Sequence, residues 1–306
     1  MKNNILSFGN NFSMKKMAAI LLGTFLVFSL IGSGGLNSEP VKAQNPDIKL
    51  GYVNWAGTVA ETFTAKAALE KKLGLNVKTI MVDVGPVYTG LAEGDIDAFM
   101  GAWLPRTHKS YVEKFDDDII KAGPNFLGAK IGLVVPEYVP IDSIKELNKH
   151  ADKFDNKIVG IDSGAGIMKA TRKALKNYNL DLNLIASSGP AMTAALKKAI
   201  ENKEWVVVTG WKPHWKFARW DLKFLKDPDT IYGGEENIYS FTKTKLTQEH
   251  PIVANFLHDF RLSSQQLGQI MNWIENGTEP EKAGERWVEE NEDIVEGWLN
   301  PAKVSE

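Results

Sequence analysis

Three tryptophans, Trp55, Trp103 and Trp211, each close a short apolar run that reads as a buried strand. An indole face attracts a permanent cation through its quadrupole, at about 0.5 to 2 kcal/mol per contact. A trimethylammonium group has no N–H to donate, so ring faces and burial of its methyls are the means of holding it. Most tryptophans serve packing instead. These three stand apart because they fall at equivalent strand ends, two of them in matching sequences, Trp103-Leu104-Pro105 and Trp211-Lys212-Pro213. A micromolar ligand needs about 8 kcal/mol, more than three such contacts supply, so a second group must contribute.

The turn Asp162-Ser163-Gly164-Ala165-Gly166-Ile167 passes from a strand into a helix. Unpaired N–H groups and the positive end of the helix dipole at such a junction face an anion. Gly164 and Gly166 serve equally well to shape a tight turn. His108, five residues after Trp103, is placed to donate to a carboxylate, although an isolated histidine is more often structural. His214, between Pro213 and Trp215, reads as structural. Ser187-Ser188-Gly189-Pro190 reads as a plain helix N-cap with proline in the first turn.

Other chemistries lack their residues. Lys169 stands where a dinucleotide fingerprint needs its third glycine, and no complete G-x-S-x-G surrounds Ser163. No H-x-x-x-H or H-E-x-x-H spacing occurs, and Asp116-Asp117-Asp118 lacks calcium-loop spacing, so no metal is expected. With no cysteine, disulfides, thiolate metal sites and a cysteine nucleophile are excluded.

Strands alternating with helices must position these residues. Ile48–Trp55, Leu75–Val82 and Ala98–Trp103 read as strands, with helices at Thr58–Leu73 and Tyr88–Glu93 between them. A further strand at Ala129–Pro136 and a helix at Ser143–Lys149 follow. The pattern then restarts: strands at Lys157–Ile161, Leu182–Ala186 and Trp205–Thr209, helices at about Ile167–Tyr178 and Ala191–Ile200. From Thr247 onward the chain reads as amphipathic helix. The class is α/β with parallel sheets in two units, and in open parallel sheets ligands sit beyond the carboxyl ends of the strands.

The 306 residues carry a formal charge of -2, which gives nucleic acid no broad basic surface to meet. Residues 1–43 read as an export leader, with an uncleaved N-terminal anchor as the alternative. Lys15 and Lys16 precede an apolar run from Met17 to Ile31, and Val41-Lys42-Ala43 forms a small-x-small cleavage site.

Trp103-Leu104-Pro105-x-Thr107-His108 together with Gly210-Trp211-x-Pro213-His214-Trp215 resembles the glycine-betaine-binding proteins of ABC-type osmoprotectant importers. Gly132-Leu133-Val134-Val135-Pro136 and Gly164-Ala165-Gly166 belong to the same likeness, which runs from Ile48 to Trp298. The resemblance implies a two-lobed periplasmic-binding-protein fold, type II-like, whose ligand cleft lies between the lobes. It implies a tryptophan prism around the trimethylammonium group, matched by Trp55, Trp103 and Trp211. It also implies a carboxylate site of two backbone N–H groups and a histidine, matched by Gly166, Ile167 and His108.

Expected boundaries are a signal peptide at 1–43, the first part of lobe 1 at 44–137, lobe 2 at 138–235, and a helical return segment at 236–306 packing mainly on lobe 1. The implied protein is an exported monomer in the periplasm or on the outer face of the cytoplasmic membrane. It would deliver glycine betaine to a membrane permease with its ATPase, without cofactor or catalysis. Carnitine, proline betaine and choline are rival ligands, and a secreted hydrolase using Ser163 is a distant one. The family's lipid-anchor cysteine is absent, and Arg106 adds a charge near the cleft.

Overall fold

The computed structural model describes residues 47–300, so the expected leader and the last few residues of the return segment lie outside the described residues. The chain begins with β1 (Ile48–Tyr52), α1 (Ala56–Leu73), β2 (Val77–Met81), α2 (Val84–Glu93), β3 (Ala98–Leu104), α3 (Lys109–Lys114) and the long β4 (Ile119–Pro136). A 3-10 segment at Ile144–Phe154 leads to β5 (Lys157–Val159), α4 (Gly166–Asn177), β6 (Asn183–Ile185), α5 (Gly189–Asn202) and β7 (Val208–Lys212). Then come α6 (Lys216–Arg219), β8 (Leu222–Phe224) and β9 (Glu236–Lys243). Helices α7 (Leu246–Glu249), α8 (Pro251–Asp259), α9 (Ser264–Glu275), α10 (Pro280–Glu290) and α11 (Glu292–Leu299) complete it.

The strands run in the order β2-β1-β3-β9-β4-β7-β5-β6, with β8 on β4. Strand β4 serves two half-sheets: Ile119–Ala129 pairs with β9, and Lys130–Val134 pairs with β7. The first half-sheet thus holds β2, β1, β3 and β9; the second holds β7, β5, β6 and β8.

The sheet is mixed, where the strand–helix alternation predicted parallel pairing throughout. β1, β2 and β3 are parallel, as are β5, β6 and β7, but β9 lies antiparallel between β3 and β4. The expected helical return therefore opens with a strand. Its sequence, Glu-Asn-Ile-Tyr-Ser-Phe-Thr-Lys, is too polar to read as a central strand. Burial there is made tolerable by a hydrogen-bond chain: Ser240 Oγ donates to Asn125 Oδ1 at 2.8 Å, and Asn125 Nδ2 donates to the Met100 carbonyl at 2.6 Å.

Small residues let the helices lie close. α1 buries Gly57, Ala60, Ala65 and Ala68, and ends at Gly74, whose φ of 68° suits the left-handed cap. A Cβ on Gly284 of α10 would lie 2.3 Å from the Phe63 carbonyl oxygen, so glycine permits that helix crossing. Ser188 caps α5 as the sequence implied, accepting from Ala191 N–H at 3.3 Å with Pro190 in the first turn.

Candidate functional site

Trp55 follows β1 at the threshold of α1, Trp103 lies near the end of β3, and Trp211 lies in β7. All three line one cavity of about 40 Å³, together with His108, Gly166 and Ile167. The six residues singled out in the sequence are therefore brought to one place. Trp55, Trp103 and His108 come from the first half of the molecule, and Gly166, Ile167 and Trp211 from the second. Both Trp-x-Pro strand ends carry a cis bond, Leu104–Pro105 and Lys212–Pro213.

Each tryptophan has a named partner, Trp103 through its backbone. Trp55 Nε1 donates to Asp162 Oδ2 at 2.9 Å, a bond from one half to the other. The Trp55 ring stacks on the His108 imidazole, centroids 5.6 Å apart at 29°. The Trp103 N–H donates to His108 Nδ1 at 3.1 Å, and its carbonyl accepts from the His108 N–H at 2.9 Å. Trp211 meets the His214 ring at 5.0 Å in a T-shaped pair. With Nδ1 accepting, the neutral His108 ring carries its proton on Nε2, its only means of donating to an anion.

Gly166 begins α4 after Ala165, whose side chain offers no cap, so Gly166 and Ile167 N–H have no intrahelical partner. Neither Gly164 nor Gly166 has a positive φ, so turn conformation does not require them. Gly166 answers to space instead: a Cβ there would fall 2.2 Å from the Thr107 carbonyl oxygen. Tyr111 Oη donates to the Gly164 carbonyl at 2.9 Å, a second bond between the halves. Ser163 is exposed and lies outside the cavity lining.

The sequence matches the family described as the substrate-binding domain of ABC-type glycine betaine transport systems over residues 46–290. The chain belongs to this family. A crystal structure of lactococcal OpuAC, closed and complexed with glycine betaine, is similar with a TM-score of 0.78 and 37% identity, over 82% of this chain and 98% of that one. ProX, the glycine betaine/L-proline-binding protein from Borrelia burgdorferi, gives 0.79 and 36%, over 82% and 96%. An ABC-transporter choline-binding protein with choline gives 0.77 and 28%, over 83% and 91%. The glycine betaine/carnitine transport binding protein GbuC of Listeria monocytogenes is 40% identical over 164 residues, 53% of this chain and 54% of that protein. That match spans about half the length of the curated relative. The fold is thus the two-lobed binding-protein architecture, reached through a mixed sheet.

In this family member one supporting residue was not legible in the sequence. Glu236 accepts from Arg106 N–H at 2.7 Å and Thr107 N–H at 2.9 Å through Oε1, and from Thr107 Oγ1 through Oε2. It fixes the loop that Gly166 packs against. Only strand alternation, with Glu236 in phase with buried Ile238, separates it from its neighbour Glu235. Glu236→Ala leaves two backbone donors without their acceptor, at a cost of about 1–3 kcal/mol each. The urea midpoint should fall accordingly, whereas Glu235→Ala should leave it unchanged. Arg106 lies outside the cavity; its guanidinium sits against Gly233.

Burial pushes the His108 imidazole down to about 3, with a Gly101 backbone hydrogen bond acting weakly the other way. The folded protein keeps this ring neutral while the unfolded chain protonates near the ordinary 6.5. Between those values the unfolded state binds more protons, so stability falls as pH drops from about 6.5 toward about 3. His214, also pushed down by burial and by Lys216, adds in the same direction. A urea midpoint that declines across this window, with a shallower slope in His108→Gln, is the expected measurement.

Proposed function

We propose that this chain is an exported, monomeric solute-binding protein. It captures glycine betaine reversibly and hands it to the permease and ATPase of an ABC importer. The observation that carries the reading is the convergence of three indoles and one open helix start on a single small cavity fed by both halves. In this reading Trp55, Trp103 and Trp211 surround the trimethylammonium group. The Gly166 and Ile167 N–H groups and His108 Nε2 meet the carboxylate. Contacts from both lobes then favour the closed form, and the transporter recognises that population.

In this reading residues 44–137 open lobe 1, residues 138–235 form lobe 2 and residues 236–306 return to lobe 1; the change of β4 partners between Ala129 and Lys130 supports a division near the end of β4. Residues 1–43 act as the leader that exports the protein to the periplasm or the outer face of the cytoplasmic membrane. No bond is made or broken in the ligand. Choline is the second reading, favoured by the likeness to a choline-binding structure. It lacks a carboxylate, so the start of α4 would have no anion to meet.

Calorimetric titration of residues 44–306 with glycine betaine, carnitine, proline betaine and choline tests the proposal. Tightest binding by glycine betaine supports it. Tightest binding by choline would transfer the site to the second reading, and no binding by any of the four would end both.

A further inference from the structure

Lys216 is fully buried, and its Nζ has no hydrogen-bond partner. The ammonium nitrogen lies 4.3 Å from the centroid of the Trp211 ring and 5.6 Å from that of Phe217. Trp211 lines the ligand cavity and Lys216 does not, so the amine covers ring surface turned away from the cavity. The side chain passes Gly210 at close range; a Cβ on Gly210 would sit 3.7 Å from Lys216 Cε and 2.4 Å from Val134 Cγ2. The lysine is therefore walled in by β7, β4 and its own helix, with aromatic faces in place of a counter-ion.

No carboxylate lies within ion-pair distance of it among the described residues. Its ionisable neighbours offer no compensation. His214 is held neutral by burial, and its Nδ1 accepts the Lys216 backbone N–H at 3.2 Å. Lys212 lies over the Phe217 ring and Lys130 over Phe224. Arg219 of the same helix pairs with Glu275. The Glu61 carboxylate is also buried without a partner, but it makes no ion pair with Lys216.

An aromatic ring has one electron system to share between its faces. A cation seated on one part of the ring weakens the field available to a second cation elsewhere on it, and the two charges repel through a medium of low dielectric. We propose that Lys216 is a positioning residue for the quaternary-ammonium site: its ammonium, set against Trp211 outside the cavity, weakens that ring's hold on the ligand, so affinity rises as the amine loses its proton. The inference rests on the ligand reading given above. Burial pushes the Lys216 amine down to about 7, which brings the switch into the neutral range. By linkage, ligand binding lowers the amine's proton affinity further and expels a proton near neutral pH.

The experiment is isothermal titration of the mature protein with glycine betaine between about pH 6 and about pH 9, in pairs of buffers differing in ionisation enthalpy. The Kd should fall about tenfold across the range, the most that an amine titrating at about 7 allows from a starting point of about pH 6, since the repulsion of two unit charges roughly 7 Å apart at an effective dielectric of about 20 exceeds that. Proton release should be greatest near pH 7. Lys216→Met, which fills the same channel without charge, should bind at about pH 6 as tightly as wild type does at about pH 9, with no pH slope. His108 and His214 also touch the cage, but burial holds both neutral through this range; Asp162 touches it through Trp55, and burial raises its carboxyl. A slope that persists in Lys216→Met would point there and overturn the proposal. A flat wild-type profile without proton release overturns it even if the variant does not fold. Absence of binding at every pH instead removes the ligand reading, and this inference with it.

Discussion

Affinity for glycine betaine should fall by at least about thirtyfold when Trp103 is replaced by alanine, and by a similar factor at Trp211. In the proposed cage each indole contributes a ring face at about 0.5 to 2 kcal/mol and the burial of ligand methyl surface besides, and about 1.4 kcal/mol corresponds to tenfold in Kd. Phenylalanine at either position keeps a smaller ring and should give an intermediate affinity. Alanine also removes packing from a residue only 7% exposed at Trp103 and 6% at Trp211, so melting temperature falls as well. The ordering Trp, Phe, Ala in Kd, measured by titration on variants that melt cooperatively, separates a cage from a merely structural tryptophan. Unchanged affinity in both alanine variants would falsify the cage.

A methyl group at Gly166 has an effect of comparable size for a different reason. Its Cβ would lie 2.2 Å from the Thr107 carbonyl oxygen and 2.9 Å from the Thr107 carbonyl carbon. Those are backbone atoms of a loop pinned by Glu236, so they cannot move aside as a flexible side chain would. The clash arises only where the two halves meet. Gly166→Ala should therefore block closure, weakening glycine betaine binding by about a hundredfold or more while the ligand-free protein keeps its melting temperature. Small-angle scattering should show that ligand no longer shrinks the particle. Gly164→Ala is the control: its nearest neighbours are 3.6 Å away and its φ is not positive, so affinity should hardly change. Equal behaviour of the two variants would remove the interlobe contact as the cause.

Much of the architecture was legible because each lobe repeats a local pattern. Apolar runs such as Ala98–Leu104 are buried along their length and announce central strands. α4 announces itself by periodicity, whereas α1 is buried on most of its faces, Thr58, Glu61, Thr62 and Thr64 included. The long β4 was legible only in its second half, because Lys121, Pro124 and Asn125 interrupt the first, and register shifts there accommodate them. β9 was missed because its polar residues are satisfied by partners more than a hundred residues away, Glu236 by the Thr107 loop and Ser240 by Asn125. No local window of sequence contains those partners.

The candidate site divides in the same way. Residue types and strand-end spacing were enough to nominate Trp55, Trp103, Trp211, His108, Gly166 and Ile167, because indole chemistry and a helix start are properties of the residues themselves. Their convergence on one cavity, the bond from Trp55 to Asp162, the packing of Gly166 on Thr107 and the placing of Lys216 against Trp211 belong to the tertiary structure. The reason is physical: sequence dictates what a side chain can attract, but which charge lies against which ring depends on distances between segments that meet only when the two half-sheets close on each other.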